Sequence, residues 1–257
     1  MTPPRVEPIG KWVRGRLGGT VVVDTRRPLL VWQAGFPPVY GFADDEVTTG
    51  VLRPTAAPPE RGFSFFGPHL PVAQWYDVVV GTTVVTCGAW RLEELLDRVM
   101  LTWEPGRLEW TEEDESVTGH PRDPHKRVEA LPSSRHVEVL IGEDVVARSH
   151  RPVLLFETDL PTRFYLPRDD VRLEMLTATD NVSVCPYKGV ADGYWSSSGP
   201  PELVNVAWSY SRPFPAVSAI ADRICFYNEL VDLRVDGALL GRAETAFSSR
   251  DQRPGGE

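Results

Sequence analysis

Apolar residues fall in short runs along this chain, broken by Gly, Pro or acidic residues roughly every eight to ten positions. Val13–Leu17 and Thr20–Asp24 flank Gly18-Gly19, and His136–Ile141 and Asp144–Arg148 flank Gly142-Glu143. Each pair reads as two strands around a tight turn. Leu29–Trp32 and Val153–Phe156 are apolar runs of strand length, and Val39–Phe42 and Arg163–Leu166 follow turns marked by proline. Such a meander predicts a mainly β chain built of antiparallel sheets. Two segments break the rhythm. Leu92, Leu95, Leu96, Val99, Met100 and Trp103 have helical spacing, which predicts a helix over Arg91–Trp103. Pro215–Tyr227 reads as a short helix running into a strand at Ile224–Tyr227, so one short helix per domain is expected.

The pattern occurs twice. Leu17–Thr55 aligns with Ile141–Thr179 without a gap, at a constant offset of 124 positions. Gly18 meets Gly142, Arg27-Pro28 meet Arg151-Pro152, Pro37 meets Pro161, and Asp45 meets Asp169. Further on, Ala89-Trp90 match Ala207-Trp208, and Asp97-Arg98 match Asp222-Arg223. Ungapped agreement over this length marks an internal duplication. The expected organisation is a first, degenerate copy over 1–110, a polar linker over 111–126, a second copy over 127–247, and a flexible tail over 248–257.

Composition narrows the function classes. The 257 residues carry a net charge of −9 and 42% apolar residues. An acidic chain lacks the basic face that nucleic acid or an anionic membrane requires. No apolar run reaches the roughly 18 residues of a membrane span, and the first residues lack the apolar stretch of a secretion signal. Cys87, Cys185 and Cys225 are odd in number and far apart, which fits reduced thiols in a cytoplasm. The abundance of Arg over Lys fits a GC-rich, bacterial genome. Only Lys11, Lys126 and Lys188 are lysines among the 27 basic residues, and lysine, unlike arginine, can give up its proton usefully.

The richest chemistry lies in Cys185–Trp195, which reads Cys-Pro-Tyr-Lys-Gly-Val-Ala-Asp-Gly-Tyr-Trp. Pro186 pushes Cys185 toward an extended conformation. In an extended stretch Cys185 and Tyr187 share a face, and a turn at Gly189 would bring the Lys188 amine around. Tyr194, Trp195, Trp208 and Tyr210 follow, a density of rings suited to a small-molecule pocket. Cys185 would then be a nucleophile or redox thiol, and Lys188 a binding cation or an amine activated by burial. The plainer alternative is a core in which cysteine is a small hydrophobe and the rings are filling.

Arg168-Asp169-Asp170 match Asp44-Asp45-Glu46 of the first copy, which favours turn capping; pairing of Asp170 with Lys188 is the other possibility. The five histidines share no metal-ligand spacing, and nucleotide, P-loop and hydrolase motifs are missing. No cofactor or metal is therefore expected. Aligning Gly67 with Gly189 sets Phe63 opposite Cys185 and Phe66 opposite Lys188, so the thiol and amine are what the first copy lacks.

Phe164–Val171, Cys185–Trp195, Ala207–Tyr210 and Phe226-Tyr227, in this order, resemble the domain of unknown function 427 family. The resemblance covers about 135–240 and, more weakly, about 12–110, so the chain looks like the tandem form. It implies small β domains similar to the β-tent group, which includes the ligand-binding domain of cereblon. The paired Cys-x-x-Cys zinc ligands of some β-tent proteins are missing here. So is the Gly-Ser plus Asp-x-Asp arrangement that a nucleotidyltransferase would need. The resemblance supplies a fold and a site, and no reaction.

Three readings follow. The first is a small-molecule-binding protein whose ligand is planar or cyclic and neutral to anionic. Its catalytic candidates are Cys185 and Lys188, and its binding candidates are Tyr165, Arg168, Asp170, Tyr187, Gly189, Tyr194, Trp195, Trp208 and Tyr210. The second is a thiol-dependent enzyme using Cys185. The third is an interaction scaffold.

Overall fold

The computed structural model describes residues 3–56, 66–117, 119–245 and 248. They form two compact units, Met1–Asp123 and Pro124–Glu257. The first unit contains β1 (Arg5–Pro8), β2 (Val13–Leu17), β3 (Thr20–Thr25), β4 (Leu29–Trp32), β5 (Val39–Phe42), β6 (Leu52–Thr55), β7 (Val72–Val80), β8 (Thr83–Leu92), β9 (Leu95–Leu101), β10 (Glu109–Glu112) and β11 (Glu115–Val117). They build a seven-stranded sheet, β1-β4-β5-β9-β8-β7-β6, and a four-stranded sheet, β11-β10-β2-β3.

The second unit contains β12 (Val128–Pro132), β13 (Val137–Ile141), β14 (Asp144–Ser149), β15 (Val153–Glu157), β16 (Arg163–Leu166), β17 (Leu176–Thr179), β18 (Ser183–Cys185), β19 (Gly189–Ala191), β20 (Gly193–Ser197), β21 (Ala207–Ser209), β22 (Ile224–Phe226), β23 (Asp232–Val235) and β24 (Ala238–Leu239). Its sheets run β12-β15-β16-β22-β21-β20-β17 and β14-β13-β23-β24. Both units thus share one order of strands, and every paired ladder is antiparallel. The second unit also holds a small hairpin, β18-β19. Even the irregularity in the strand pairs matches: the register shifts at Gly15/Arg16 in β2 and at Val139/Leu140 in β13.

Period-two alternation sorts the side chains of the second unit's large sheet. Leu154, Phe164, Leu166, Ala207, Ile224 and Phe226 pack on Val137, Val139 and Leu233 of the small sheet. Their strand neighbours Val153, Leu155, Tyr165, Trp208 and Cys225 form a separate cluster on the other face. Each large apolar side chain so buried contributes roughly 1.5–3 kcal/mol before entropy is counted. Among the described residues of the first unit, the buried cluster on the equivalent outer face is apolar, built of Val31, Val39, Trp90, Leu92 and Met100.

The strands read from the sequence are present. The helix expected over Arg91–Trp103 is not: β8 ends at Leu92, a two-residue turn follows, and β9 begins at Leu95, which pairs with Leu92. Both faces of the second half of β9 are covered, so Val99, Met100 and Leu101 are all buried. A strand buried on both sides loses its period of two, and its apolar run mimics helical spacing. At Pro215–Ile220 the expected helix is a 3-10 turn, followed by β22. All helical elements among the described residues are 3-10 turns. The segment expected to be linker supplies part of β10 and all of β11. These strands alternate buried Trp110, Glu112 and Val117 with polar residues facing out. Most of the tail from 248 lies outside the described residues. No helix among the described residues is long and apolar enough to cross a membrane.

Candidate functional site

The outer face of the second unit's large sheet is where the rare lysine comes to rest. The β18-β19 hairpin lies over it. Alternation turns Val184 and Val190 outward, where both are exposed. Ser183 and Ala191 turn inward, and the Ser183 hydroxyl meets the Tyr194 hydroxyl at 2.6 Å. Residues 186–188 form the turn between the strands, closed by a bond from the Lys188 amide to the Cys185 carbonyl at 3.3 Å. Gly189 has φ +100, open to glycine alone at low strain, and the backbone of Arg212–Phe214 passes within 4 Å of where a Cβ would stand. The Phe214 amide donates to the Lys188 carbonyl at 3.0 Å. The hairpin is therefore pinned from above and below.

This turn drives Lys188 into the sheet face. Its ammonium forms an ion pair with Glu157, the last residue of β15, with the two side chains only 12% and 6% exposed. Cys185 lies near enough to act on its charge. Burial works against the charge, but Cys185 and Glu157 outweigh it and hold the lysine above its ordinary value. Lys188 is thus a locked cation. Of the two roles expected for Lys188, this geometry favours the binding cation over an amine neutralised by burial, because a carboxylate is buried with it.

Around this group stand the rings. Trp208 donates its indole N–H to the Tyr165 hydroxyl at 3.1 Å. Tyr210 lies beside Tyr165, centroids 6.5 Å apart, and Tyr227 beside Trp208 at 4.4 Å. Arg163 stacks over both Trp208 and Tyr227 and is held by Glu229 through two bonds of 2.7 and 2.8 Å. Burial pushes the Cys225 thiol up to about 12.

Of the expected site residues, Cys185, Lys188, Gly189, Tyr165, Tyr194, Trp208 and Tyr210 gather on this face. Tyr187 is half-buried in the covering turn. Three others lie elsewhere. Trp195 packs in the inner core and Trp208 on the outer face, because adjacent residues of β20 point oppositely and Tyr194 takes the outer position. The two tryptophans do not wall one pocket. Arg168 is exposed and stacks on Trp195 at 5.4 Å, away from the lysine. Asp170 pairs with Arg151 and accepts from Ser149 at 2.7 Å. Glu46 and Thr25 repeat that bond in the first unit, so the acid secures a turn in both copies. Phe66, aligned with Lys188, packs against the first unit's core; Phe63 lies outside the described residues.

Glu157, Arg163 and Glu229 escaped the sequence reading. The signal was there: at the offset of 124, Glu157 faces Gln33 and Arg163 faces Val39. Register fixes the rest. Tyr165 pairs with Cys225 where Gly41 pairs with Met100, and Tyr194 pairs with Trp208 where Trp75 pairs with Trp90. Gln33, in place of Glu157, accepts the backbone amides of His69 and Leu70 at 2.6 and 3.0 Å. Among the described residues no group of three or more His, Cys, Asp or Glu side chains is placed to hold a metal ion.

Alkaline titration checks this burial. Burial raises the hydroxyls of Tyr40, Tyr165, Tyr194, Tyr210 and Tyr227 above their ordinary value. A raised folded value means stability is intact below the unfolded value, about 10, and is lost as pH rises past it. Lys188, also raised, has the same sign. These tyrosines should develop tyrosinate absorbance only together with loss of the folded circular-dichroism signal. Smooth ionisation of all seven tyrosines near pH 10 in a folded protein would contradict the buried cluster.

Comparison with known proteins agrees with the repeated architecture. The family model described as "Domain of unknown function (DUF427)" matches residues 5–101 and, a second time, 129–237. No curated protein gives a match. The two matched segments take up most of the chain and coincide with its two sets of sheets, so the chain belongs to the DUF427 family and carries its domain in tandem.

Proposed function

We propose that the second unit binds a small planar or cyclic molecule, neutral to anionic, where Cys185, Tyr187 and Lys188 meet the aromatic sheet face. The protein would do so in the cytoplasm. One observation carries this reading: a coordinated change of character on one face of a duplicated sheet. Where the first unit has Gly41, Val39, Leu92 and Met100, the second has Tyr165, Arg163, Tyr210 and Cys225. The first unit folds the same sheet with apolar side chains there, so packing does not demand the polar set. A buried cation beside rings suits a flat ligand with electron-rich edges.

A thermal-shift screen of the full chain against metabolites tests this. At least one planar compound should stabilise the protein, and the shift should vanish in Lys188→Met/Glu157→Gln. A ligand shift of equal size in that variant would place binding elsewhere.

The charge of Lys188 near Cys185 favours a second reading, in which the sulfur displaces a leaving group from an electrophilic ligand, the carbon–sulfur bond forming as that group departs with its electron pair. Alkylation of Cys185 by iodoacetamide at pH 7 should then slow at least tenfold in Lys188→Met/Glu157→Gln. Equal rates would remove the thiol from the chemistry.

A further inference from the structure

The first unit holds a polar cluster of its own, in a different place. Glu112 of β10 is buried, and its carboxylate accepts the Tyr40 hydroxyl at 2.8 Å and forms an ion pair with Lys11. Strand register identifies the counterparts. Glu112 pairs with Val13 as Val235 pairs with Val137, and Tyr40 pairs with Leu30 as Phe164 pairs with Leu154. The second unit therefore builds the same layer with Phe164 and Val235, both apolar and buried. Lys11 likewise has a counterpart in Arg135, which pairs with the half-exposed Asp236. Placing a carboxylate in this layer costs several kcal/mol of desolvation, and the second unit shows that the fold does without it.

Beside Glu112 opens a cleft of about 190 Å³, lined by Lys11, Glu112, Glu113, Glu115, Val117 and Arg122. Arg122 is 2.8 Å from Glu115 and close enough to act on Tyr40. The cleft is small and half open to solvent. Its walls carry both signs, with carboxylates outnumbering cations by three to two. A simple anion would face the surplus of carboxylates, and a simple cation would face Lys11 and Arg122. A molecule with an ammonium at one end and a carboxylate at the other meets both.

We propose that this cleft is a second ligand site, taking a small zwitterion of the amino-acid class. The ammonium lies against Glu113 and Glu115, the carboxylate against Arg122 and Lys11, and the Tyr40–Glu112 pair holds Lys11 in position. The site is independent of the one around Lys188.

The full chain is titrated with the L-amino acids of neutral side chain, and with ethylamine and propionate as single-charge controls, followed by thermal shift and calorimetry. At least one amino acid should bind and neither control should. Tyr40→Phe/Glu112→Val, which installs the second unit's residues, should weaken that binding at least tenfold. Arg122→Gln, at a side chain already 33% exposed, should do the same and decides the matter if the double variant does not fold. Lys188→Met/Glu157→Gln should leave it unchanged. Absence of binding by every amino acid overturns the proposal. So does binding that survives Arg122→Gln, or binding lost only in the Lys188 variant.

Discussion

Arg163→Leu is expected to remove about 3–5 kcal/mol from the second unit, the scale for breaking a buried ion pair from one side. The guanidinium is 6% exposed and Glu229 is fully buried. Arg163 supplies two of the bonds to that carboxylate, and the Thr245 hydroxyl supplies another at 2.6 Å. Despite its burial, Glu229 is held below the usual carboxylate range because Arg163 faces it. Removing the arginine leaves that charge without its main partner and strips the cation from over Trp208 and Tyr227. Urea unfolding should show a lower midpoint with an unchanged slope. The sign with pH also follows. A depressed carboxylate gives stability above its unfolded value near 4.3 that is lost as pH falls through the folded one. The wild type should therefore weaken more steeply in acid than the variant. A loss under about 1 kcal/mol would mean that water reaches the pair.

What was legible in the chain depended on how many faces of each element are covered. Strands with one wet face, such as β3 and β14, kept their alternation and their Gly turns, and both were visible at once. The duplication was visible because the turns that fix register, at Gly18 and Gly142, recur at one offset. β9 was misread because its second half is covered on both faces. β10 and β11 were hidden for the opposite reason: they are short and mostly polar, and only Trp110, Glu112 and Val117 betray them.

The site was half legible. Cys185 and Lys188 stood out by rarity and proximity. The partner that decides the lysine's state, Glu157, lies 31 residues earlier, on a strand two places across the sheet from β22. The alignment of copies contained it, as Gln33 opposite Glu157, but only strand pairing shows that this position faces the hairpin. Trp195 was placed wrongly because neighbours in a strand were taken as neighbours in space. The first copy is also less degenerate than its lack of counterparts to Cys185 and Lys188 implied. It gave up polar groups on the outer face and gained Tyr40 and Glu112 within, so each copy is polar where the other is apolar.

Lys188→Met separates fold from function most sharply. Alone, it should destabilise the second unit by about 3–5 kcal/mol, because Glu157 stays buried with its charge uncompensated. Adding Glu157→Gln should recover most of that loss. The amide needs no counter-charge, and Gln33 already serves at the equivalent place in the first unit. The double variant should then be a folded protein with the rings intact and the cation gone. If Lys188 and Glu157 exist to hold the hairpin, the recovered protein will keep any ligand and the alkylation rate of Cys185. If they exist to present a cation beside the sulfur, stability returns while binding and alkylation do not. The coupling between the two substitutions, read from a double-mutant cycle in urea, should be at least 2 kcal/mol, roughly the upper part of the range for residues in direct contact. Additive effects would mean that the two charges do not meet, and with that the candidate site would lose its centre.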